Sequence, residues 1–504
     1  MKKITIMILT CILIFIPILS IHANEHTDKS LQEQIIYDIL IDRFNNGNRI
    51  LTDETDIDDP NSYQGGDLQG ITMKLDEIKQ HGFTAISISP IMENSSGGFH
   101  GYWIEDFFEI EEQFGTMADL KHLIEEAHNR DIKVILEFVT NFVSLDHPFL
   151  TDADKQEWFI ENDVERTEAI GWLENTALFN QSNPEVASYL IDAANYWLEE
   201  TEIDGIKLHA ADQADPDFLK TFVTHVKDEN PNVYILANVM QDQSSLEWLQ
   251  EIEQIDGIEN PYIFEAFNEI LIEPDKPISA IYEIWEKTNS GKDLLYVDHK
   301  NSARFSNNFA EKGRNALTTW KLALTYLYTL NGTPIVFQGS EIPMYGPSYV
   351  ESQQMVPFQN RDPDLQEYYE RISAIRTQFP ALSYGNIEQV ATNEGMSVFR
   401  KSYENETIYI ALNNDSISHA VSISGIDSNL QLRGLIGDDL VRANDDGTFQ
   451  IGLPREEVEV YIIEPNEGFN WGLISFVVGV FILFVAAVII LSIKDKKRKK
   501  ENNT

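Results

Sequence analysis

The sequence predicts an α/β fold: a (β/α)8 TIM barrel with a short inserted domain B, a C-terminal antiparallel β-sandwich domain and one C-terminal transmembrane helix. Three observations predict it. Short apolar and β-branched runs alternate with amphipathic helical stretches, which is typical of parallel βα units. From about residue 383 to 465, strand patterns alternate with Asn-Asp turns, as in antiparallel sheets. Residues 473–493 carry no charge, over a length that can cross a hydrocarbon layer of ~30 Å.

The barrel is predicted over residues 31–382, with the inserted domain at about 143–182 and the β domain at 383–465. Asn183 followed by Pro184 indicates the start of a helix, because it places a capping side chain before a proline at the first helical position. The predicted barrel strands are residues 35–41, 84–89, 133–138, 205–208, 234–237, 257–259, 294–297 and 334–337.

Composition excludes several classes of protein. The 504 residues include 82 Asp and Glu against 37 Lys and Arg, which gives a net charge of −45. Such an acidic chain lacks the cationic face that nucleic-acid binding needs. Its 43% hydrophobic content is too high for a disordered acidic chain. Cys11 is the only cysteine, which excludes disulfides, thiol catalysis and cysteine-rich zinc sites.

The two ends of the chain predict a location at the cell membrane. Residues 1–23 resemble a secretory signal peptide, since Lys2 and Lys3 precede a long apolar run that ends near the small Ala23. An uncleaved N-terminal anchor is the alternative. The basic tail, residues 494–504, follows the apolar segment 473–493 and is expected to stay in the cytoplasm. These patterns predict a single-pass protein with an extracellular N-terminal ectodomain; a buried core helix is the alternative for residues 473–493.

Several stretches resemble the α-amylase family, glycoside hydrolase family 13, in the order and spacing of that family. They cover roughly residues 31–465 and resemble, in turn, its first, second, third and eighth strand segments. They are IIYDILIDRFNNGN, YQGGDLQGITMKLDEIKQHGFTAISISPI, HGYWIEDFFEIEEQFGTMADLKHLIEEAHNRDIKVILEFVTN and NGTPIVFQGSEIPM. The resemblance implies cleavage or transfer of α-glucosidic bonds with retention, which requires a carboxylate nucleophile and a carboxylic acid across the scissile bond.

The family's three catalytic carboxylates are each replaced in this sequence. By resemblance, His209 stands at the nucleophile position, Asn238 at the acid/base position and Asn301 at the position of the third acid. An amide is far too weak an acid to protonate a glycosidic oxygen. No family catalytic residue is therefore intact, and the enzyme is expected to be inactive.

The resemblance also implies residues that contact sugar. Tyr102 matches the family's aromatic platform and His100 a hydroxyl ligand beside it; packing at the barrel rim is the alternative for Tyr102 and Trp103. The implied substrate-binding residues are His100, Tyr102, Trp103, Lys207, Asn238 and Arg304.

A calcium ion is a further expectation from the resemblance. Asn46, Asn48, Gly66 and Asp67 resemble a calcium loop of bacterial relatives, and Asn141 matches a ligand of a second site. Amide, carboxylate and backbone oxygens suit a hard cation. The alternative is a solvated turn, which Asn-Gly pairs favour.

The functional hypothesis is a cell-surface protein of carbohydrate metabolism that binds an α-glucan or maltooligosaccharide without hydrolysing it. One alternative is an active retaining α-amylase with relocated acids, for which Glu137, Asp212, Asp242 and Asp298 are candidates. Another is an amylase-like ectodomain that acts as a scaffold for a protein partner in the same membrane.

Overall fold

Eight parallel strands close into a barrel in the computed structural model, which describes residues 30–49, 55–160, 173, 175–240, 246–466 and 471–501. The predicted signal peptide, residues 1–23, lies outside the described residues.

The strands are numbered in chain order. Those up to the inserted domain are β1 Ile36–Ile39, β2 Ala85–Ile88, β3 Met92–Asn94, β4 Ile104–Ile110, β5 Lys133–Val139, β6 Phe142–Ser144, β7 Phe159–Ile160 and β8 Thr176–Phe179. The next are β9 Gly205–His209, β10 Tyr234–Ala237, β11 Gly257–Glu259, β12 Asp293–Tyr296 and β13 Thr333–Phe337. The C-terminal strands are β14 Asn386–Asn393, β15 Met396–Tyr403, β16 Glu406–Asn413, β17 His419–Ile423, β18 Leu430–Gly434, β19 Leu440–Arg442, β20 Phe449–Leu453 and β21 Glu457–Pro465.

The α-helices are numbered in the same way. They are α1 Leu68–Thr72, α2 Leu75–Gln80, α3 Met117–His128, α4 Pro184–Thr201, α5 Pro216–Glu229, α6 Leu246–Gln250, α7 Pro261–Ile270, α8 Ser279–Thr288, α9 Phe305–Glu311, α10 Ala316–Thr329, α11 Tyr349–Ser352, α12 Pro363–Gln378, α13 Pro380–Tyr384 and α14 Trp471–Glu501.

The barrel runs in the order β1-β13-β12-β11-β10-β9-β5-β2, and β1 closes it by pairing with both β13 and β2. The predicted fold class is confirmed, and each predicted barrel strand is found close to its predicted bounds. Most barrel residues are buried on both sides, because side chains fill the barrel interior and helices cover its outer face.

Helix α4 shows how the sequence sets the outer layer. The Asn183 side chain accepts a hydrogen bond from the Glu185 backbone N–H, and Pro184 occupies the first turn. Val186, Leu190 and Trp197 recur at helical spacing and are buried against the barrel.

The inserted domain contributes a small three-stranded sheet in the order β6-β8-β7, beside the carboxyl end of β5. Residues 161–172 of this domain, including Trp172, lie outside the described residues. Among the residues that are described, Trp158 is buried and donates through Nε1 to Glu185 at 3.0 Å, so it packs this domain onto α4.

The C-terminal domain is antiparallel, as predicted. A six-stranded sheet in the order β14-β15-β16-β21-β18-β19 faces the pair β17-β20 across an apolar core. Arg314 joins it to the barrel, since the guanidinium contacts Glu456 at 2.9 Å and the Asn414 side chain at 2.6 Å.

Helix α14 contains one stretch, Ser475–Ile493, that is long and apolar enough to cross a membrane. None of this stretch is buried within the protein. Its large apolar side chains are exposed, which fits the predicted span better than the alternative of a buried core helix.

Candidate functional site

A buried cluster of charged and polar side chains lies at the carboxyl end of the barrel. Parallel strands all end on this face, so residues distant in sequence meet there. All cluster members are buried; they are Asp38, Glu137, Lys207, His209, Asn238, Glu259 and Lys300.

Glu137, at the end of β5, is the centre of one half of the cluster. Its carboxylate accepts hydrogen bonds from His209 Nδ1 at 2.7 Å, from the Tyr102 hydroxyl at 3.1 Å and from Lys300 Nζ. Burial alone would raise the pKa of Glu137, but Lys300 and then His209 outweigh burial and hold this pKa well below its usual range. Glu137 is therefore an ionised carboxylate and not a proton donor.

Lys207 is the centre of the other half. Its Nζ lies 3.0 Å from Glu259 Oε1 and 3.3 Å from Asp38 Oδ1, so one ammonium bridges two carboxylates. Burial opposes ionisation of Asp38, yet Lys207 and Lys300 lower its pKa. Buried charges persist only where they are paired and hydrogen-bonded in this way.

Two of the three positions that are predicted to have lost a catalytic acid belong to this cluster. His209 donates from Nδ1 to Glu137, and burial lowers its pKa, so the ring is neutral at pH 7. Its Nε2 atom has no hydrogen-bond partner among the described residues. Asn238 donates to Glu259 at 2.5 Å and accepts from the Ala210 N–H at 3.0 Å.

The third position, Asn301, lies apart, in the loop after β12. Its backbone N–H donates to His299 Nδ1 at 3.2 Å, and its side-chain oxygen has no hydrogen-bond partner among the described residues. Both residues line a cavity of about 190 Å³ beside the cluster.

The implied sugar platform is covered in this structure. Tyr102 is 0% exposed, and its ring stacks with His100 at 5.4 Å and contacts the His209 ring at 4.2 Å between centroids. His100, Lys207 and Asn238 are also buried, while Trp103 is half-buried with its ring edge-on to His100. A sugar would reach Tyr102 only if the cluster opened, so the sugar-binding role of these residues stays a prediction.

Arg304 connects the loop after β12 with the backbone at Gln338 and Ser352. Its guanidinium donates to the backbone oxygens of Ser352 and Gln338 and lies 3.6 Å from Asp298. Asp298 in turn accepts from the Phe305 N–H at 2.5 Å and from the Ser340 hydroxyl at 2.7 Å. Through these contacts, Arg304 and Asp298 have a structural role.

Of the other candidate acids, Asp212 also accepts a hydrogen bond within the protein. Asp212 accepts the Met240 N–H at 3.0 Å, and Asp242 lies outside the described residues. Glu341, which was not among the predicted candidates, is a further buried acid: burial raises its pKa, its carboxylate accepts from the Tyr37 hydroxyl, and the Tyr37 ring packs on Phe83. Because Tyr37 and Asp38 are neighbours on β1, they face opposite sides of the barrel wall. Glu341 is thus directed away from the cluster.

The residues expected to bind calcium do not fit a metal ion as they are placed. The Asp67 carboxylate accepts backbone N–H groups of Gly47, Asn48 and Gly70, which makes it the N-cap of α1. Asn46 accepts the Arg49 N–H through its side-chain oxygen. Gly66 packs its backbone tightly against that of Ile41 and Asp42. Backbone N–H donors therefore occupy the side-chain oxygens of Asp67 and Asn46, which a cation at this loop would need.

Asn141 does not fit a metal site either. Its side-chain oxygen accepts from the Thr140 hydroxyl and from Gln181, and its amide nitrogen donates to the Ala210 oxygen at 2.7 Å. No group of three or more His, Cys, Asp or Glu side chains with metal-binding geometry occurs in the described part of the chain.

The sequence did not lead us to predict Asp38 and Glu259 as site residues. It identified Lys300 only as the residue that stands where the family has a histidine. A signal was present for Asp38 and Glu259, because each lies in an apolar strand segment whose other members are buried. A charge at such a position needs a partner of opposite sign.

The closed barrel, the polar cluster at its carboxyl end and the C-terminal β domain define a protein of the (β/α)8 glycoside hydrolase class. Residues 38–175 and 172–380 match the alpha amylase catalytic domain, and residues 385–461 match the alpha-amylase C-terminal domain. The chain belongs to the α-amylase family.

Relatives and solved structures support this assignment over most of the chain. Alpha-amylase 2 of Dictyoglomus thermophilum is 29% identical, across 78% of this chain and 71% of that protein. The crystal structure of an Anoxybacillus alpha-amylase superposes with a TM-score of 0.83 at 36% identity, covering 88% of this chain and 100% of that one. An alpha-amylase from Geobacillus thermoleovorans, complexed with acarbose, gives 0.81 at 36% identity, with 87% and 99% covered.

Proposed function

We propose that this protein of the α-amylase family, with a role in α-glucan metabolism, binds α-glucans or maltooligosaccharides without hydrolysing them. The observation that carries the proposal is that the carboxyl groups at the barrel mouth are paired with lysines. Asp38, Glu137 and Glu259 each lie within ion-pair distance of a lysine ammonium, and the lysines hold the pKa values of Asp38 and Glu137 below their usual values.

Retaining hydrolysis needs more than a buried carboxylate. It requires a protonated acid on one side of the glycosidic oxygen and an accessible nucleophile about 5–5.5 Å from it. Glu137 is neither protonated nor exposed, and Asn238 supplies no acidic proton. The cluster replaces the reactive groups of a hydrolase with a network in which two lysines pair with three carboxylates.

Ligand binding is supported by the relatives and not by the cluster alone. The Geobacillus thermoleovorans alpha-amylase, at 36% identity, was solved with acarbose, and other relatives include proteins named alpha-amylase and cyclomaltodextrinase. The proposed ligand is therefore an α-linked glucan. Calcium is left out of the proposal because the expected ligands accept hydrogen bonds from within the protein.

The proposed location is the outer face of the cell membrane, with the barrel outside and the basic tail inside. The support is the apolar stretch Ser475–Ile493, the basic residues after it and the signal-like segment 1–23.

The test uses the full chain in detergent and a chromogenic maltooligosaccharide. We expect no release of the chromophore and a measurable heat of binding with maltohexaose by calorimetry. Glu137→Gln, Glu259→Gln and Asp298→Asn are the matched controls for any trace of activity. Hydrolysis that one of these substitutions abolishes would show an active enzyme with relocated acids. Absence of both hydrolysis and binding would favour the scaffold alternative.

A further inference from the structure

The two ends of the C-terminal sheet lie at opposite ends of the barrel, because the sheet packs along α10. Helix α10 ends just before β13 begins, so Thr329 is at the amino end of the barrel, and its oxygen accepts from Lys401 Nζ at 3.1 Å. Arg314, before the start of α10, contacts Glu456 and Asn414, which directly precede β21 and follow β16. One end of the sheet is therefore level with the barrel mouth, and the other is level with the amino end.

Two tyrosines mark the end of the sheet that is level with the amino end of the barrel. Tyr403 is the last residue of β15, and its ring lies 5.4 Å from that of Tyr384, the last residue of α13. The Tyr384 hydroxyl lies 2.7 Å from Oγ of Ser30, a residue shortly before β1. Tyr403 and the β15–β16 turn, Glu404 and Asn405, are exposed. We call the surface formed by Tyr384 and residues 403–405 the base of the β domain.

The chain leaves the β domain beside this base. Strand β21 ends at Pro465, and the Asn466 N–H donates to the Asn429 oxygen at 2.9 Å. Strand β16 pairs antiparallel with β21 in the register that sets Ile408 opposite Ile462, so the first residues of β16 lie beside the last residues of β21. The β15–β16 turn, which is part of the base, is therefore next to the point from which the chain continues to α14.

The linker between the β domain and α14 is short. Four residues, 467–470, separate Asn466 from Trp471, the first residue of α14. At no more than ~3.6 Å per residue, the five steps from Asn466 to Trp471 span at most ~18 Å. The opposite end of the sheet is farther away, because the eight residues of β15 extend over ~27 Å. Such a linker favours a bilayer that meets the base and not the opposite end of the sheet.

The chemistry of the base suits the level of the lipid headgroups. Tyrosine is enriched at membrane–water interfaces, because its ring is apolar and its hydroxyl is polar. The base carries two such rings, on Tyr384 and Tyr403, beside a polar turn. The exposed Glu404 disfavours contact with anionic headgroups. The matching surface is therefore one of zwitterionic or uncharged headgroups.

We propose that the base of the β domain lies against the headgroups of the outer leaflet, so that the amino end of the barrel is turned toward the membrane and the barrel mouth away from it. This inference rests on the proposed membrane location and adds the orientation of the ectodomain. In this orientation the barrel mouth faces the medium, where a large glucan can approach it without obstruction by the bilayer.

The experiment measures how close labelled positions lie to the headgroups. Cys11 is the only cysteine, so in a Cys11→Ser background one introduced cysteine is the only site for a thiol-reactive fluorophore. The full chain is reconstituted into phosphatidylcholine vesicles that contain lipids with a spin-labelled headgroup, which quenches nearby fluorophores. Glu404→Cys places the label in the base. Glu394→Cys is the matched control, because Glu394 is also an exposed glutamate with a φ of 51°, in the β14–β15 turn at the opposite end of the sheet.

We expect quenching to be several-fold stronger at Glu404→Cys than at Glu394→Cys. Asn405→Cys repeats the measurement in the same turn, at a residue without a positive φ. Tyr345→Cys, in the exposed segment after β13, reports on the barrel mouth and should be quenched as weakly as Glu394→Cys. Thermal melting of each labelled variant verifies that it is folded, and flotation with the vesicles verifies that it is bound to the membrane.

The outcomes separate the orientation from the location. Strong quenching at Glu404→Cys and Asn405→Cys, with weak quenching at Glu394→Cys and Tyr345→Cys, supports the orientation. In protein that floats with the vesicles, equal quenching at all four positions, or stronger quenching at either control, overturns the orientation and leaves the membrane location in place. Full chain that does not float with the vesicles overturns the proposed location, and the orientation with it.

Discussion

At the scale of single residues, the predicted loss of three acids from an amylase site is accompanied by other changes of charge. Glu137 and Lys300 stand where the family resemblance leads one to expect an aspartate and a histidine, and they pair with each other. Lys207, in place of an arginine, bridges Asp38 and Glu259. A compact ammonium can sit between two carboxylates, whereas a guanidinium imposes a planar fork. The replacements are therefore consistent with one another as a set of paired charges.

Lys300→Met tests this pairing. Because Glu137 would be left as a buried, poorly compensated carboxylate, we expect the free energy of unfolding at pH 7 to fall by about 3–5 kcal/mol. The paired Glu137 has a lowered pKa in the folded state, so its contribution is present above the unfolded value of about 4.3 and is lost as the pH falls. The stability gap between the two proteins should consequently shrink below about pH 4.

Denaturant unfolding of both proteins between pH 7 and pH 3 measures this gap. The matched control is Lys312→Met, which removes an exposed ion pair with Glu273 and should leave stability unchanged. Equal stability of Lys300→Met and the unmodified protein at pH 7 would contradict the assigned pairing.

At the scale of elements, the loop before α1 shows how one motif can serve two purposes. Its Asn and Gly residues resemble a calcium loop, yet Asp67 accepts backbone N–H groups from both the loop and the helix. A side chain that caps a helix and closes the preceding loop fixes the same backbone that a calcium ion would fix. Hydrogen bonds within the chain thus stabilise this loop and the start of α1.

Two measurements on this loop follow. Calcium or a chelator should leave the melting temperature of the unmodified protein unchanged, because donors already occupy the expected ligand oxygens. Asp67→Ala should cost about 1 kcal/mol of stability through loss of the cap, whereas Asp67→Asn, which can still cap, should cost much less. A rise of several degrees on adding calcium would show that the loop rearranges to bind it.

At the scale of the whole molecule, the barrel and the β domain are joined by buried polar contacts, whereas α14 exposes its apolar side chains. Lys401 of β15 is buried and donates to the backbone oxygens of Thr329 and Leu382, at the end of α10 and within α13. By contrast, none of Ser475–Ile493 is buried against the rest of the protein. The proposed membrane span would cover this apolar surface of α14.

Truncation after residue 466 tests this arrangement. Full-length protein should sediment with membranes and resist extraction by salt, and the truncated protein should be recovered in the soluble or secreted fraction. A matched variant that keeps α14 and replaces Lys496, Lys497, Arg498, Lys499 and Lys500 with glutamine should stay with the membrane but lose its fixed orientation, which protease accessibility reports. Soluble full-length protein would contradict the proposed span.

The sequence allowed much of the fold to be predicted, because the signals are local. Apolar strand patterns located the barrel strands, and Asn183 with Pro184 located the start of α4. The pairing of charges could not be predicted in this way. Asp38, Glu137 and Glu259 lie on three strands that are far apart in sequence, and no local pattern states which lysine each one meets.

The sequence by itself determined that this is an α-amylase-type barrel, and it predicts that three catalytic acids are replaced, since the identity of a side chain decides whether it can give up a proton. Only the tertiary structure decided what the residues at those positions contact. Closure of the barrel brings Lys207 and Lys300 against the remaining carboxylates, covers Tyr102 and leaves Asn301 beside a separate cavity. The physical reason is that ion pairing and burial depend on distances between strands, which are fixed only when the barrel is closed.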